Sequence, residues 1–217
     1  MGRLNLLLDL DGTLTDSRDG IVRSIEYALE AVGVSGVPSV ELDACVGPPL
    51  LDSLARLLGP HRSHLTPEAA ERYERRYAEA GVLESRPYDG IRECLAELQQ
   101  LADLYVVTSN LTSLSRRTLA HLGLDRHFRR VHGCRDWGGA DKAGLIEDLL
   151  KIEALDPASA VMVGDRLYDM QGARKNGIGA VGILWGYGDE AELLAAGAEV
   201  LCEHPSELVG HFRDWAR

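Results

Sequence analysis

Near the start of the chain stands Leu4-Asn5-Leu6-Leu7-Leu8-Asp9-Leu10-Asp11-Gly12-Thr13-Leu14-Thr15-Asp16, and the rest of the architecture is read from it. The apolar run from Leu4 to Leu8 is short enough for a strand, and its unbroken hydrophobicity suits one buried on both faces of a parallel sheet. Two acids one residue apart follow it directly. In open α/β sheets the working crevice lies beyond the carboxyl ends of the strands. Both carboxylates reach that crevice if the chain leaves the extended conformation after Asp9, and Gly12 permits the tight turn this needs. An ordinary acidic strand-to-loop junction with an Asp11-Gly12 turn gives the same letters.

Further apolar stretches recur at Leu104 to Val107, Ala160 to Val163, Ala180 to Leu184 and Val200 to Leu201. Helical patterns lie between or after them, at Ile91 to Leu101, Leu114 to Leu122, Gly144 to Leu155, Met170 to Asn176 and Glu190 to Ala196. Alternating β and α elements predict an α/β fold with a doubly wound parallel sheet. The alternation breaks over 16–85, where three helical patterns (Ile21 to Val32, Leu50 to Leu58, Glu68 to Ala80) occur without a clear strand. This segment is expected to be a small helical cap inserted into a core of residues 1–15 and 86–217. Thr66-Pro67-Glu68 supplies a cap residue, a proline and an acid for a helix start. The two crossings, near Asp16 to Gly20 and Ser85 to Gly90, form a potential hinge.

A chain of 217 residues suffices for such a core with an insertion. The formal net charge of −11 argues against a nucleic-acid backbone binder, which needs Lys and Arg to neutralise phosphates. Cys45, Cys94, Cys134 and Cys202 form no CxxC pair, so reduced thiols are expected. Asp9 and Asp11 interrupt the first apolar run, which excludes a signal peptide or membrane span there. Gly2 lacks the Ser or Thr that myristoylation requires, Leu6 standing in its place. A cytoplasmic protein without membrane partners is expected, either a monomer or a homodimer.

Three more segments carry chemistry. Val106-Val107-Thr108-Ser109-Asn110 ends a strand and precedes a helix, where a hydroxyl and backbone N–H groups can cradle phosphate or simply cap the helix. Lys142 stands near a helix start in Gly139-Ala140-Asp141-Lys142-Ala143-Gly144, where a lysine taken alone reads as a solvated face and only its company gives it interest. Val161-Met162-Val163-Gly164-Asp165-Arg166-Leu167-Tyr168-Asp169 runs from a strand into two acids a helical turn apart, hard oxygen ligands for a divalent cation or an N-cap with a partner.

In this order the four segments resemble the haloacid dehalogenase superfamily: its DxDGT loop, strand-end Thr/Ser, lysine, and Gly-Asp-x-x-x-Asp motif. The resemblance runs from Leu4 to about Ile183. It implies that Asp9 attacks phosphorus to form an aspartyl-phosphate, with Asp11 as general acid and base. It also implies Mg²⁺ as cofactor, held by Asp9, Asp11 through its backbone carbonyl, Asp165 and Asp169. Thr108, Ser109, Asn110 and Lys142 then take the phosphate oxygens. The second acid of the loop points to phosphorus rather than carbon chemistry.

The insertion's position resembles the subclass of phosphoglycolate phosphatases and bacterial 5′-nucleotidases, and Gly47-Pro48-Pro49-Leu50 resembles its lid loop or a proline-started helix. The implied substrate is a small phosphate ester, a nucleoside 5′-monophosphate first and phosphoglycolate second. A phosphosugar mutase would carry a His soon after the loop, and Arg18-Asp19-Gly20-Ile21 has none. A non-catalytic phosphate-binding regulator is the alternative of another class. Trp185-Gly186-Tyr187-Gly188 resembles the tail of these phosphatases, its aromatics read as packing near the site. None of the seven histidines falls in these motifs.

Overall fold

The computed structural model describes residues 3–136 and 141–215. Gly2, and the Gly139 and Ala140 quoted with Lys142, lie outside them. In chain order the strands are β1 (Leu4–Leu8), β2 (Thr15–Asp16), β3 (Arg86–Pro87), β4 (Ala102–Leu111), β5 (Arg130–Cys134), β6 (Ala160–Gly164), β7 (Gly179–Ile183) and β8 (Val200–Cys202). Six of them form one sheet in the order β5-β4-β1-β6-β7-β8, and every adjacent pair is parallel. The order reverses at β1, which has β4 on one side and β6 on the other. Asp9 therefore leaves the sheet at the switch point where the carboxyl ends of the strands open a crevice.

Alternation along the strands divides the apolar core in two. Leu7, Tyr105, Val107, Met162 and Ala180 face one layer, shared with α7 (Lys142–Ile152), α8 (Leu167–Asn176) and α9 (Glu190–Ala196). Leu4, Leu6, Leu8, Val106, Val163 and Ile183 face the other, shared with α5 (Ile91–Leu101), α6 (Thr112–Leu122) and α10 (Pro205–Trp215). The result is the three-layered doubly wound α/β sheet the sequence predicts.

Between β2 and β3 lie α1 (Arg18–Ala31), α2 (Ser39–Asp43), α3 (Leu50–Leu58) and α4 (Thr66–Glu79). Ile21, Ile25, Ala28 and Leu29 recur at helical spacing on α1 and share an apolar cluster with Tyr73 and Tyr77 of α4. That cluster continues into one layer of the core. The insertion's two connections are not independent loops: β2 and β3 pair antiparallel, Thr15 opposite Pro87 and Asp16 opposite Arg86. Arg86 Nη2 adds a 2.8 Å bond to Asp16 Oδ2.

Several elements depart from the sequence reading. β5 was not foreseen, because only Val131 and Cys134 of Arg-Val-His-Gly-Cys are apolar and an edge strand needs no continuous run. Neither α2 nor α10 was foreseen, although Leu208, Val209 and Phe212 give α10 a buried face. Thr66 does not cap α4: a 3₁₀ turn over Ser63–Leu65 precedes it, Leu65 holds the cap position, and the Thr66 hydroxyl is buried without a partner among the described residues.

Candidate active site

Asp9 is the first residue past β1, held in line with the sheet by its N–H, which donates to the Val163 carbonyl at 2.9 Å. The chain then turns sharply. Gly12 adopts φ +89°, and a Cβ there would lie 2.3 Å from Asp165 Oδ2, so both conformation and space require glycine. Asp9 Oδ1 accepts from the Leu10 N–H at 2.8 Å and pairs with Lys142 Nζ at 2.8 Å, which fixes the carboxylate's orientation.

Lys142 is the first residue of α7, started by the Asp141 side chain accepting from the Gly144 N–H. The lysine is no solvated group. Only 5 % exposed, its ammonium reaches Asp9 Oδ1, Asp169 Oδ1 at 2.9 Å and the Val107 carbonyl at 3.1 Å. Burial disfavours its charge, but Asp169 and Asp9 outweigh that and hold its pKa above the ordinary lysine value.

β6 ends at Gly164, where a side chain would collide with Asp169: an added Cβ lies 2.2 Å from Asp169 Cγ. Asp169, at the third position of α8, accepts from the Arg166 N–H at 3.1 Å. Asp165 is fully buried and accepts from the Thr13 hydroxyl at 3.0 Å and the Tyr187 N–H at 2.9 Å. Carboxylate oxygens of Asp9, Asp165 and Asp169 all lie within 4.8 Å of one another. Burial pushes the Asp165 carboxyl up to about 7, with Asp169 adding to the shift. Burial likewise raises Asp9 well above the ordinary carboxylate value, against the opposing pull of Lys142. Three buried acids facing one ammonium are short of positive charge, and an all-oxygen donor set of this kind fits Mg²⁺.

Asp11 belongs to a different environment. Its side chain is outside that acidic cluster and accepts from Asn110 Nδ2 at 3.3 Å. Burial raises its pKa, while the Ser17 hydroxyl, Asn110 and Lys142 pull the other way. The two neighbouring acids thus have different partners, Asp9 the Lys142 ammonium and Asp11 the Asn110 amide.

At the end of β4 the structure changes the expected phosphate cradle. The strand continues to Leu111 and α6 starts only at Thr112, so Thr108, Ser109 and Asn110 are not a helix N-terminus. The Asn110 N–H donates to Thr108 Oγ1 at 3.1 Å and the Leu111 N–H to Asn110 Oδ1 at 2.8 Å, which occupies two of the backbone donors. Thr108, Ser109 and Asn110 all line the cavity over Asp9, and the Asn110 amide also donates to Asp11.

Four side chains at the site carried no catalytic or binding role in the sequence reading. Thr13 grips Asp165. Tyr187 does so through its N–H, while its phenol oxygen accepts from the Ser17 N–H at 3.0 Å and its hydroxyl reaches Asp16 Oδ1 at 3.4 Å. The Trp185 indole N–H donates to the Thr13 carbonyl at 3.0 Å, so the Trp-Gly-Tyr-Gly loop clamps the loop that follows β1. Arg166 spans to the insertion, donating to the Val46 carbonyl at 2.9 Å while paired with Glu192 at 2.8 Å. The aromatic-glycine alternation was the available signal for the first clamp. Nothing local marks the other contacts, which join positions more than a hundred residues apart.

The chain's residues 6–183 match the model of the haloacid dehalogenase-like hydrolase family. This protein belongs to that family. A 5′-nucleotidase of Pseudomonas aeruginosa is 38 % identical over 193 residues, covering 88 % of this chain and 87 % of that one. A tyrosine-protein kinase PtkA of Mycobacterium tuberculosis is also 38 % identical over 187 residues, 84 % of this chain but only 62 % of that longer protein. Among solved structures, a predicted phosphatase from Clostridium acetobutylicum superposes with a TM-score of 0.91 at 31 % identity, covering 99 % of this chain and all of that one. The chain is a hydrolytic enzyme of the phosphatase type, as the four motifs implied. Among its described residues no helix is long and apolar enough to cross a membrane, and Cys45, Cys94, Cys134 and Cys202 are buried thiols outside any disulfide.

Proposed function

We propose that the protein is a Mg²⁺-dependent phosphomonoester hydrolase working through an aspartyl-phosphate on Asp9, with nucleoside 5′-monophosphates as its preferred substrates and phosphoglycolate as the alternative. The observation that carries the reading is the convergence of Lys142 on Asp9 and Asp169 within a buried cluster completed by Asp165. In this reading 1–15 and 86–217 are the catalytic core and 16–85 the cap. The preference for a nucleotide rests on the Pseudomonas relative.

Asp9, held by Leu10 N–H and Lys142, is presented to phosphorus at the crevice floor. Two like charges 4 Å apart repel by roughly 4 kcal/mol at an effective dielectric of 20, so a carboxylate approaching a phosphate dianion needs cations close by. Lys142 supplies one. Mg²⁺ held by Asp9, Asp165 and Asp169, and by the Asp11 carbonyl, would supply charge neutralisation and orient the transferring oxygens. Thr108 and Ser109 offer hydroxyls to those oxygens. Asp11, its protonated form favoured by burial, gives its proton to the leaving oxygen and later takes one from the water that cleaves the acyl-phosphate.

The cavity between insertion and core has a volume of about 70 Å³ and opens to solvent. A nucleoside would extend from it past the lip of the cap, and the β2–β3 ribbon is where the cap would hinge. A free monomer or homodimer in the cytoplasm, with no nucleic-acid partner, completes the reading.

The test is phosphate release with and without Mg²⁺ from nucleoside monophosphates, phosphoglycolate, sugar phosphates and an aryl phosphate, with Asp9→Asn as control. Magnesium-dependent turnover that disappears in Asp9→Asn is expected, since an amide cannot form the acyl-phosphate. Turnover that survives in Asp9→Asn refutes the mechanism. The mycobacterial relatives' name gives a second reading, transfer to a tyrosine, and phosphate appearing on protein instead of in solution would select it.

A further inference from the structure

Ile21, Ile25, Pro48, Pro49, Leu50 and Tyr73 form the insertion's side of the cavity over Asp9. They come from three separate helices and the loop before α3, and with Gly47 and the Cys45 thiol they line it with hydrocarbon, one phenol and one sulfur, none of them charged, where a substrate's alcohol half would lie. The core's floor is the opposite: Asp9, Asp11, Asp169, Lys142 and the hydroxyls of Thr108 and Ser109.

Positive charge is absent from this lid surface among the described residues. Two cations line the cavity, Lys142 and Arg166. Lys142 is committed to Asp9 and Asp169. Arg166 is held by both oxygens of Glu192, at 2.8 and 3.4 Å, and by the Val46 carbonyl at 2.9 Å. The insertion's own arginines point elsewhere: Arg18 pairs with Asp43, Arg76 with Glu84, and Arg56 bonds the Glu41 carbonyl and the Cys45 sulfur.

We infer that the lid selects phosphate monoesters whose alcohol half is uncharged and carries an apolar or aromatic face, and rejects those bearing a second anion. The inference rests on the phosphatase reading and narrows it. A carboxylate next to the ester would lie against Leu50, Pro48 and Ile21 without a partner, and an unpaired charge against hydrocarbon is strongly disfavoured. A nucleoside meets the requirement, since its sugar and base carry no second charge. Phosphoglycolate does not meet it.

The test compares propyl phosphate with phosphoglycolate, alkyl esters of similar size that differ in the second charge, on the full chain with Mg²⁺. The expected kcat/KM ratio is about 100 in favour of propyl phosphate, the scale on which a mismatched pocket discriminates. Leu50→Lys, which places an ammonium on the half-buried lip of the lid, should move that ratio at least tenfold toward phosphoglycolate, mainly through KM. Pro48→Lys repeats the test at the neighbouring position should the first variant fold poorly. Equal rates on the two esters, or faster phosphoglycolate hydrolysis, overturns the inference and leaves the phosphatase standing. A wild-type ratio that neither lysine shifts also overturns it, since the lid would not be the selecting surface. No release from either ester overturns the inference, and no release from nucleoside monophosphates as well overturns the phosphatase reading beneath it.

Discussion

Replacing Lys142 by Met removes the ammonium and keeps most of the stem's volume. At 2.8 and 2.9 Å from Asp9 and Asp169, each attraction is about 6 kcal/mol at an effective dielectric of 20. Much of that gross sum is offset in the wild type by desolvating the ammonium. What the variant cannot offset is the pair of carboxylates left buried, and breaking a buried pair from one side typically costs about 3–5 kcal/mol. For a chain of this size each kcal/mol moves the melting temperature by roughly 2–4 °C, so a fall of about 6–20 °C is expected without divalent cations.

The pH dependence has a fixed sign. Asp9 and Asp165 have native pKa values raised above the unfolded ones, the latter to about 7. The native state therefore binds more protons than the unfolded state between the ordinary carboxylate range and those raised values, and stability falls as pH rises through that window. Losing the ammonium steepens the fall, so the gap between wild type and Lys142→Met should be wider at pH 8 than at pH 5. Mg²⁺ should narrow it. Adding Asp169→Asn to the variant should recover part of the loss, which a double-mutant cycle by urea denaturation reads directly. A gap below about 1 kcal/mol at pH 8, with no coupling in the cycle, would refute the view of Lys142 as the site's buried counter-charge.

Asp11→Asn should slow hydrolysis of alkyl esters by about 10²–10⁴-fold and that of an activated aryl phosphate much less, because only the poor leaving group needs the proton. In the wild type, kcat/KM should decline as pH rises through the Asp11 pKa, which burial places above the ordinary carboxylate value; a flat alkaline side would contradict that role. Thr13→Val removes the hydroxyl that holds Asp165 Oδ1 and should raise the Mg²⁺ concentration for half-maximal activity by about 10–100-fold, with kcat at saturating metal the control. Tyr187→Phe keeps the N–H that holds Asp165 and loses the phenol's bonds to Ser17 and Asp16; stability should drop by about 1 kcal/mol while metal dependence stays as in the wild type, measured by melting and by Mg²⁺ titration.

How much of this was legible depends on whether a signal is local. Asp9, Asp11 and Asp165 follow apolar runs directly, so strand periodicity and the rule that crevices open at carboxyl ends were enough to place them. Lys142 was legible only in company: nothing in its own neighbourhood separates a lysine that is 5 % exposed from a solvated one. The same holds for Asn110, whose partner Asp11 is ninety-nine positions away. β5 escaped because its Arg and His are tolerable only on an edge, and edges are a property of the assembled sheet. Thr66 failed as a cap because the chain approaches α4 already wound, which no residue preference at a single position reveals.

The pairing of β2 with β3 constrains how the helices between them can move. Residues 16 and 86 are partners across one ribbon, so residues 17–85 leave and return through a doorway two strands wide. The ribbon begins where the loop carrying Asp9 and Asp11 ends. The two ends of the helical segment are thus tied to each other and to that loop, and they cannot spread apart without breaking the ribbon.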